Sequence, residues 1–284
     1  MKTLYHCSES SGLGAFVSSV VGAYAVSLLS SSKFVLGSNC TTEASRMNRE
    51  VTQRFYIPMH SVPKSIRIIR LNNFPNKNEI AHDLIQDNRV GRRAFCLINS
   101  EHTGLDKLFR GTYGIQNKKR LNHSSYNTSF DTIVNRVFQP SQRILTLYKK
   151  WMRDKNLSSY NILHVRLGDG NMACERKKWE WKNHQIKTLF RNNPVNHLMS
   201  AKVNASVVLS DTAWVRDLAK FLGFVTMDTG AIHMGMIDNH NTSNIDGLFL
   251  EWYIMRRAKM CFTFSQTSMF SRSACMGRMH IVRL

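Results

Sequence analysis

The run Asn161-Ile162-Leu163-His164-Val165-Arg166-Leu167-Gly168-Asp169-Gly170 decides how the chain is read. Ile162, Leu163, Val165 and Leu167 form a short apolar segment, bounded by Asn161 before it and by Gly168 and Gly170 after it, which predicts a buried strand. Upstream, Pro140 and Ser141 open a helix over 141–154, with Ile144, Leu145, Leu147, Tyr148, Trp151 and Met152 at helical spacing. Downstream come a strand over 203–209, a helix over 212–222 ended by Gly223, a helix over 246–259, a strand over 260–264 and a closing strand over 280–284. Strand followed by helix, repeated, is the pattern of a parallel α/β sheet.

The first half shows the same alternation less cleanly. Phe16, Val17, Val20, Val21, Tyr24, Ala25, Leu28 and Leu29 predict a helix over 14–29 with serines on its other face, and it follows the turn Gly12-Leu13-Gly14. Strands are expected over 33–36, 65–71 and 94–98. The stretches 72–93 and 111–129 are polar and Asn-rich and read as surface loops. A boundary between 138 and 139 divides the chain into two domains, 1–138 and 139–284.

The chain has 284 residues, enough for two ordinary domains, and is 43% hydrophobic and 10% aromatic with 5 prolines, which excludes disordered and collagen-like classes. Thirty-nine Lys and Arg against 19 Asp and Glu leave a net charge of +20, a surface that attracts polyanions, nucleotides and phosphosugars. The six cysteines, Cys7, Cys40, Cys96, Cys174, Cys261 and Cys275, include no C-x-x-C pair and read mostly as reduced thiols. The apolar stretch 13–36 is broken by serines and begins after the polar residues His6 to Ser11, unlike a secretion signal, whose apolar region follows a basic start. A soluble, cytoplasmic protein without a membrane span is therefore expected. Asn-x-Ser triplets at Asn127, Asn156 and Asn204 matter only in a secretory compartment.

Ligands of open α/β sheets bind beyond the carboxyl ends of strands. Three strands here run into His164-Val165-Arg166-Leu167-Gly168-Asp169, into Ser210-Asp211-Thr212, and into Ser265-Gln266-Thr267-Ser268-Met269-Phe270-Ser271. Together they suit a nucleotide diphosphate. Arg166 offers a planar fork to phosphate oxygens, the Thr267-Ser268 turn offers hydroxyls and N–H groups, and Asp211 accepts from a ribose or base. Plainer roles stay open: His164 as a satisfied core histidine, and Asp211-Thr212 and Thr267-Ser268 as helix caps. Gly12 and Gly14 fall short of the dinucleotide fingerprint, since Val17 replaces its third glycine.

Gln139-Pro140-Ser141, a helix and then His164-Val165-Arg166-Leu167-Gly168-Asp169 resemble the H-x-R-x-G-D signature of the α1,6- and protein O-fucosyltransferase superfamily. Ser210-Asp211-Thr212 and the segment from Thr263 to Ser271 are similar to its second and third motifs, in the same order, and Ser11-Gly12-Leu13-Gly14 to its N-terminal loop. The likeness covers 139–275 well and the first 138 residues poorly. It implies a GT-B glycosyltransferase, two Rossmann-like domains facing across a cleft, with the acceptor side in 1–138 and the donor side in 139–284. It also implies an inverting, metal-independent transfer of a sugar, fucose from GDP-fucose first, to a hydroxyl of a glycan or glycoprotein. UDP-xylose is the alternative donor.

In that resemblance Arg166 contacts the donor diphosphate, while Gly12, Leu13, Gly14, His164, Ser210, Asp211, Thr212, Ser265, Thr267, Ser268 and Phe270 line the donor pocket. No cofactor is implied, and no D-x-D occurs to bridge a metal to phosphate. Glu9, beside the glycine turn, is favoured as general base over Asp169, which would then hold the Arg166 loop; Glu9 as a plain exposed loop residue, Glu43, and contacts from His233 and Asp238 stay open. The chain departs from secreted superfamily members in lacking a recognised signal or anchor and paired cysteines, and in this is similar to soluble bacterial or viral glycosyltransferases.

A rival class is a nucleic-acid-binding protein, suggested by Arg92-Arg93, Lys118-Lys119-Arg120 and Lys177-Lys178 near Trp179 and Trp181. The dispersal of the basic residues and the lack of a nucleic-acid module argue against it.

Overall fold

The computed structural model describes residues 3–8, 12–29, 32–40, 42–70, 95–99, 123–167, 190–227, 245–264 and 268–282. The chain divides into two compact units, Met1–Gln142 and Arg143–Leu284, each built on a five-stranded parallel sheet.

The first unit contains β1 (Thr3–Ser8), α1 (Leu13–Leu29), β2 (Lys33–Gly37), α2 (Thr42–Thr52), β3 (Met59–His60), β4 (Arg67–Arg70), β5 (Phe95–Asn99) and α3 (His123–Val137). Its sheet order is β3-β2-β1-β5-β4, so β1 is the central strand. The sequence reading missed β1, because only Leu4 and Tyr5 stand out as apolar before His6 and Ser8, yet His6 is fully buried and Ser8 nearly so. Ser8 Oγ and Ser19 Oγ lie 2.8 Å apart, so the strand's polar side chain meets a hydroxyl of α1.

The serines of α1 do not face solvent as expected. Ser18, Ser19 and Ser27 are buried beside Phe16, Val17, Val20 and Val21, so the helix is enclosed on both faces. Two of these hydroxyls donate to carbonyls three residues back, Ser19 to Phe16 at 2.9 Å and Ser27 to Tyr24 at 2.7 Å, which lets them enter an apolar setting satisfied.

The loop expected over 111–129 also needs correction, since 123–129 form the first turns of α3. The anchoring residues Phe130, Ile133, Val134 and Val137 lie later in that helix, so its polar start carried no periodic signal.

The second unit contains α4 (Gln142–Asp154), whose first residue belongs to the first unit, then β6 (Ile162–Val165), α5 (Pro194–Lys202), β7 (Val207–Ser210) and α6 (Ala213–Phe221). It continues with β8 (Val225–Thr226), α7 (Ile245–Arg257), β9 (Cys261–Thr263), α8 (Met269–Cys275) and β10 (Met279–Ile281). The order β10-β9-β6-β7-β8 places β6 at the centre. The strand expected over 203–209 begins only at Val207, because Val203 caps α5. Leu163, Val165, Phe190, Leu198, Val208, Val215 and Phe262 form the core against that sheet. Gly223 ends α6 at φ 80°, a conformation that suits glycine.

The cysteines correct the thiol reading. Cys7 and Cys40 form a disulfide, as do Cys261 and Cys275, while Cys96 is a buried free thiol. The missed signal was spatial: Cys7 lies near the end of β1, whose parallel neighbour β2 leads toward Cys40, a proximity that spacing in the chain does not show. No helix among the described residues is long and apolar enough to cross a membrane.

Candidate functional site

The second sheet reverses its order at β6. From β6 the chain runs outward through β7 to β8, then returns to the other side of β6 for β9 and β10. The carboxyl ends of β6 and β9 therefore flank a topological switch point, where open α/β sheets bind ligands.

The motif residues lie there. His164 pairs in register with Leu209 on one side and Thr263 on the other, and Val165 with Ser210. Arg166 follows directly and is half-buried. The rings of His164 and Phe270 are 6.0 Å apart, which brings the first and third motifs together. The first and second meet through Asp211, whose Oδ1 accepts from the Leu167 amide at 3.1 Å and from the Thr212 hydroxyl at 3.1 Å.

These contacts bear on the plainer roles. Thr212 is the N-cap residue of α6, but its hydroxyl is turned to Asp211 and makes no capping bond. Ser210 Oγ accepts the Thr212 amide at 3.1 Å, and its carbonyl accepts from Arg216 at 2.7 Å, so the turn after β7 is held on three sides. Ser268 does cap α8, accepting from the Ser271 amide at 3.4 Å.

His164 is buried, and that burial, helped by the Arg166 charge, pushes its pKa down to about 3, so the ring is neutral. Its Nδ1 has no hydrogen-bond partner among the described residues. The reading of His164 as a fully satisfied core histidine does not fit that vacancy.

Glu251, in the middle of α7, went unnoticed in the sequence. It is buried, its Oε1 has no partner among the described residues, and burial raises its pKa to about 8 against the pull of Arg216. Asp211 is close enough to raise it further. The signal was present: a single carboxyl stands in the apolar run Leu248-Phe249-Leu250-Glu251-Trp252-Tyr253-Ile254. Trp252 Nε1 donates to Ser273 at 3.0 Å and Arg256 to the Ala274 carbonyl at 3.1 Å, which fastens α7 to α8.

Gly12, Leu13 and Gly14 belong to the first unit, at the start of α1, where the Gly12 carbonyl accepts from the Phe16 amide at 2.8 Å and Leu13 is buried. Glu9, Asp169, Ser265, Thr267, His233 and Asp238 lie outside the described residues, as do the basic clusters at 92–93, 118–120 and 177–178.

Neither a family model nor a curated sequence matches the chain. Solved structures do. Fucosyltransferase NodZ from Bradyrhizobium superposes with a TM-score of 0.52 at 14% identity, covering 97% of this chain and 94% of that one. The chain has a fucosyltransferase fold. NodZ α1,6-fucosyltransferase crystals soaked with GDP-fucose give a TM-score of 0.51 at 13% identity over 97% of this chain and 92% of that one. A mutant of Arabidopsis thaliana FUT1 in complex with GDP gives 0.56 at 12% identity over 98% and 70%. At such identities the fold is shared while most side chains differ.

Proposed function

We propose that the protein is a glycosyltransferase that moves fucose from GDP-fucose to a hydroxyl of a glycan or glycoprotein, with inversion and without a metal. The observation that carries this reading is the switch point of the second sheet, where Arg166 leaves β6 beside the bonded pair Leu167 and Asp211, in a chain with a fucosyltransferase fold.

In this reading each of the two units is a Rossmann-like domain. Arg166 binds the donor diphosphate through its planar fork. The bond from the sugar C1 to the β-phosphate oxygen breaks, that oxygen keeps the electron pair, and Arg166 stabilises the charge. An acceptor hydroxyl attacks C1 from the opposite face and gives its proton to a carboxylate, with Glu9 favoured over Asp169.

The solved structures of this fold that were obtained with GDP or GDP-fucose favour GDP over UDP. The two disulfides favour an oxidising compartment over the cytoplasm that the sequence pattern suggested.

The test is thermal stabilisation by GDP, UDP, GDP-fucose, UDP-xylose and a single-stranded oligonucleotide, with chelator present, at low and moderate salt. Selective stabilisation by the GDP compounds that survives salt supports the proposal. Stabilisation by the oligonucleotide alone, lost as salt rises, overturns it in favour of a polyanion-binding protein.

A further inference from the structure

In a parallel sheet all strand amino ends lie along one edge. In the second unit that edge is opposite the switch-point residues, and two Asn-x-Ser triplets enter the sheet there. Asn156-Leu157-Ser158 occupies the turn between α4 and β6, with Asn156 at φ 51° and with Asn156 and Ser158 both exposed. Asn204-Ala205-Ser206 occupies the connection between α5 and β7, where Asn204 and Ser206 are exposed and Ala205 is buried. Asn161 Nδ2 donates to the Asn204 carbonyl at 2.8 Å, which pins the main chain of that turn.

A concavity of about 440 Å³ opens at the same edge, lined in part by Ser159, Asn204, Ser206, Lys202 and Lys259. Next to Asn204, Val203 is 88% exposed, an apolar surface that an attached sugar would cover. The triplet Asn39-Cys40-Thr41 differs in kind. The Asn39 amide accepts from the Val62 N–H and donates to the Val62 carbonyl at 2.9 Å, and Cys40 is tied into a disulfide.

We propose that Asn156 and Asn204 are N-glycosylation acceptors and that Asn39 is not. The two disulfides are an independent observation pointing to the oxidising route on which such modification occurs. In the transfer, Nδ2 of the asparagine bonds to C1 of an oligosaccharide carried on a lipid diphosphate. The C1–oxygen bond to the diphosphate breaks, the oxygen keeps the electron pair, and the amide loses one proton. Both glycans would stand at the edge away from Arg166, leaving donor binding untouched. The proposal is independent of which donor the protein uses.

The full chain, made in eukaryotic cells behind a cleavable secretion leader, is enzymatically deglycosylated in heavy-oxygen water and mapped by peptide mass spectrometry. Labelled aspartate is expected at positions 156 and 204, and unlabelled asparagine at 39. S158A and N204Q are each expected to lose one glycan step in mass while keeping the unfolding temperature of the enzymatically deglycosylated parent. Unlabelled residues at both positions in disulfide-bonded, folded chain overturn the proposal. Label at one alone overturns it for the other, and label at Asn39 overturns the distinction drawn for that site.

Discussion

Asp211 Oδ1 accepts the amide proton of Leu167 at 3.1 Å, tying the residue after Arg166 to the end of the neighbouring strand. Asp211→Ala leaves that buried amide and the Thr212 hydroxyl without their acceptor, so a loss of about 1–3 kcal/mol is expected in denaturant unfolding. Asp211→Asn keeps an acceptor oxygen and is expected to recover most of the stability. Equal stability of Asp211→Ala and the parent would show that the tether is unimportant.

Arg166→Ala is expected to leave the chain folded and to lower the transfer rate by roughly 10²–10³-fold, the range for removing one oxyanion-stabilising donor. Arg166→Lys keeps the charge but not the fork and is expected to recover little. Full activity in Arg166→Ala would remove Arg166 from the mechanism.

Two buried groups give the protein opposed pH dependences. The His164 pKa falls to about 3 on folding, so the folded chain resists protonation there, and stability is lost as pH falls from about 6.5 toward 3. The Glu251 pKa rises to about 8, so the folded chain keeps that proton, and stability is lost as pH rises from about 4.5 through 8. Glu251→Gln is expected to flatten the alkaline side of a plot of unfolding free energy against pH, and His164→Asn the acid side. Variant curves parallel to the parent across both windows would contradict these burial effects.

A Cβ added to Gly37 would stand 2.6 Å from Cys40 Sγ, 2.8 Å from a Val62 methyl carbon and 2.9 Å from Cys7 Sγ. Neither sulfur can swing aside while the disulfide is closed. Gly37→Ala is therefore expected to cost about 1–3 kcal/mol, read as a lower denaturation midpoint. Replacing Cys7 and Cys40 by serine gives the methyl group room, and Gly37→Ala on that background is expected to cost less.

The disulfides span 33 and 14 residues. Chain-entropy reasoning puts their contributions at about 3–4 and about 3 kcal/mol, so reduction before unfolding should lower the midpoint markedly, the Cys7–Cys40 bond counting for more. Cys96, whose thiol burial pushes its pKa up to about 11, is expected to stay unalkylated until the chain unfolds. An unchanged midpoint after complete reduction would show that both bonds are incidental to stability.

The second unit was legible because its strands and helices carry their own periodicities. Ile162 to Val165 is apolar apart from His164, α4 and α6 are amphipathic, and Gly223 marks the end of α6. The first unit hid its central strand because His6 and Ser8 are polar yet enclosed, and that enclosure depends on Ser19 across the helix. Arg166 and Asp211 were visible because they follow strands directly, and Ser268 because it opens a helix. Glu251 was not, since its meaning arises from Asp211 and Arg216, which lie 40 and 35 positions away in the chain. The cysteine pairs failed for the same reason: spacing carries no information about which strand ends become neighbours.

The place of β1 in the middle of its sheet has a consequence for synthesis. Once residue 37 has left the ribosome, β1 can pair with β2 along one side, but its other side has no partner until residue 99 has been made, because β5 fills that gap after β4 has already crossed to the far edge. Throughout that interval an open row of backbone donors and acceptors faces the surroundings. A nascent chain stalled between these two points would be the species most prone to pair with another copy, and the one a chaperone would have most reason to shield.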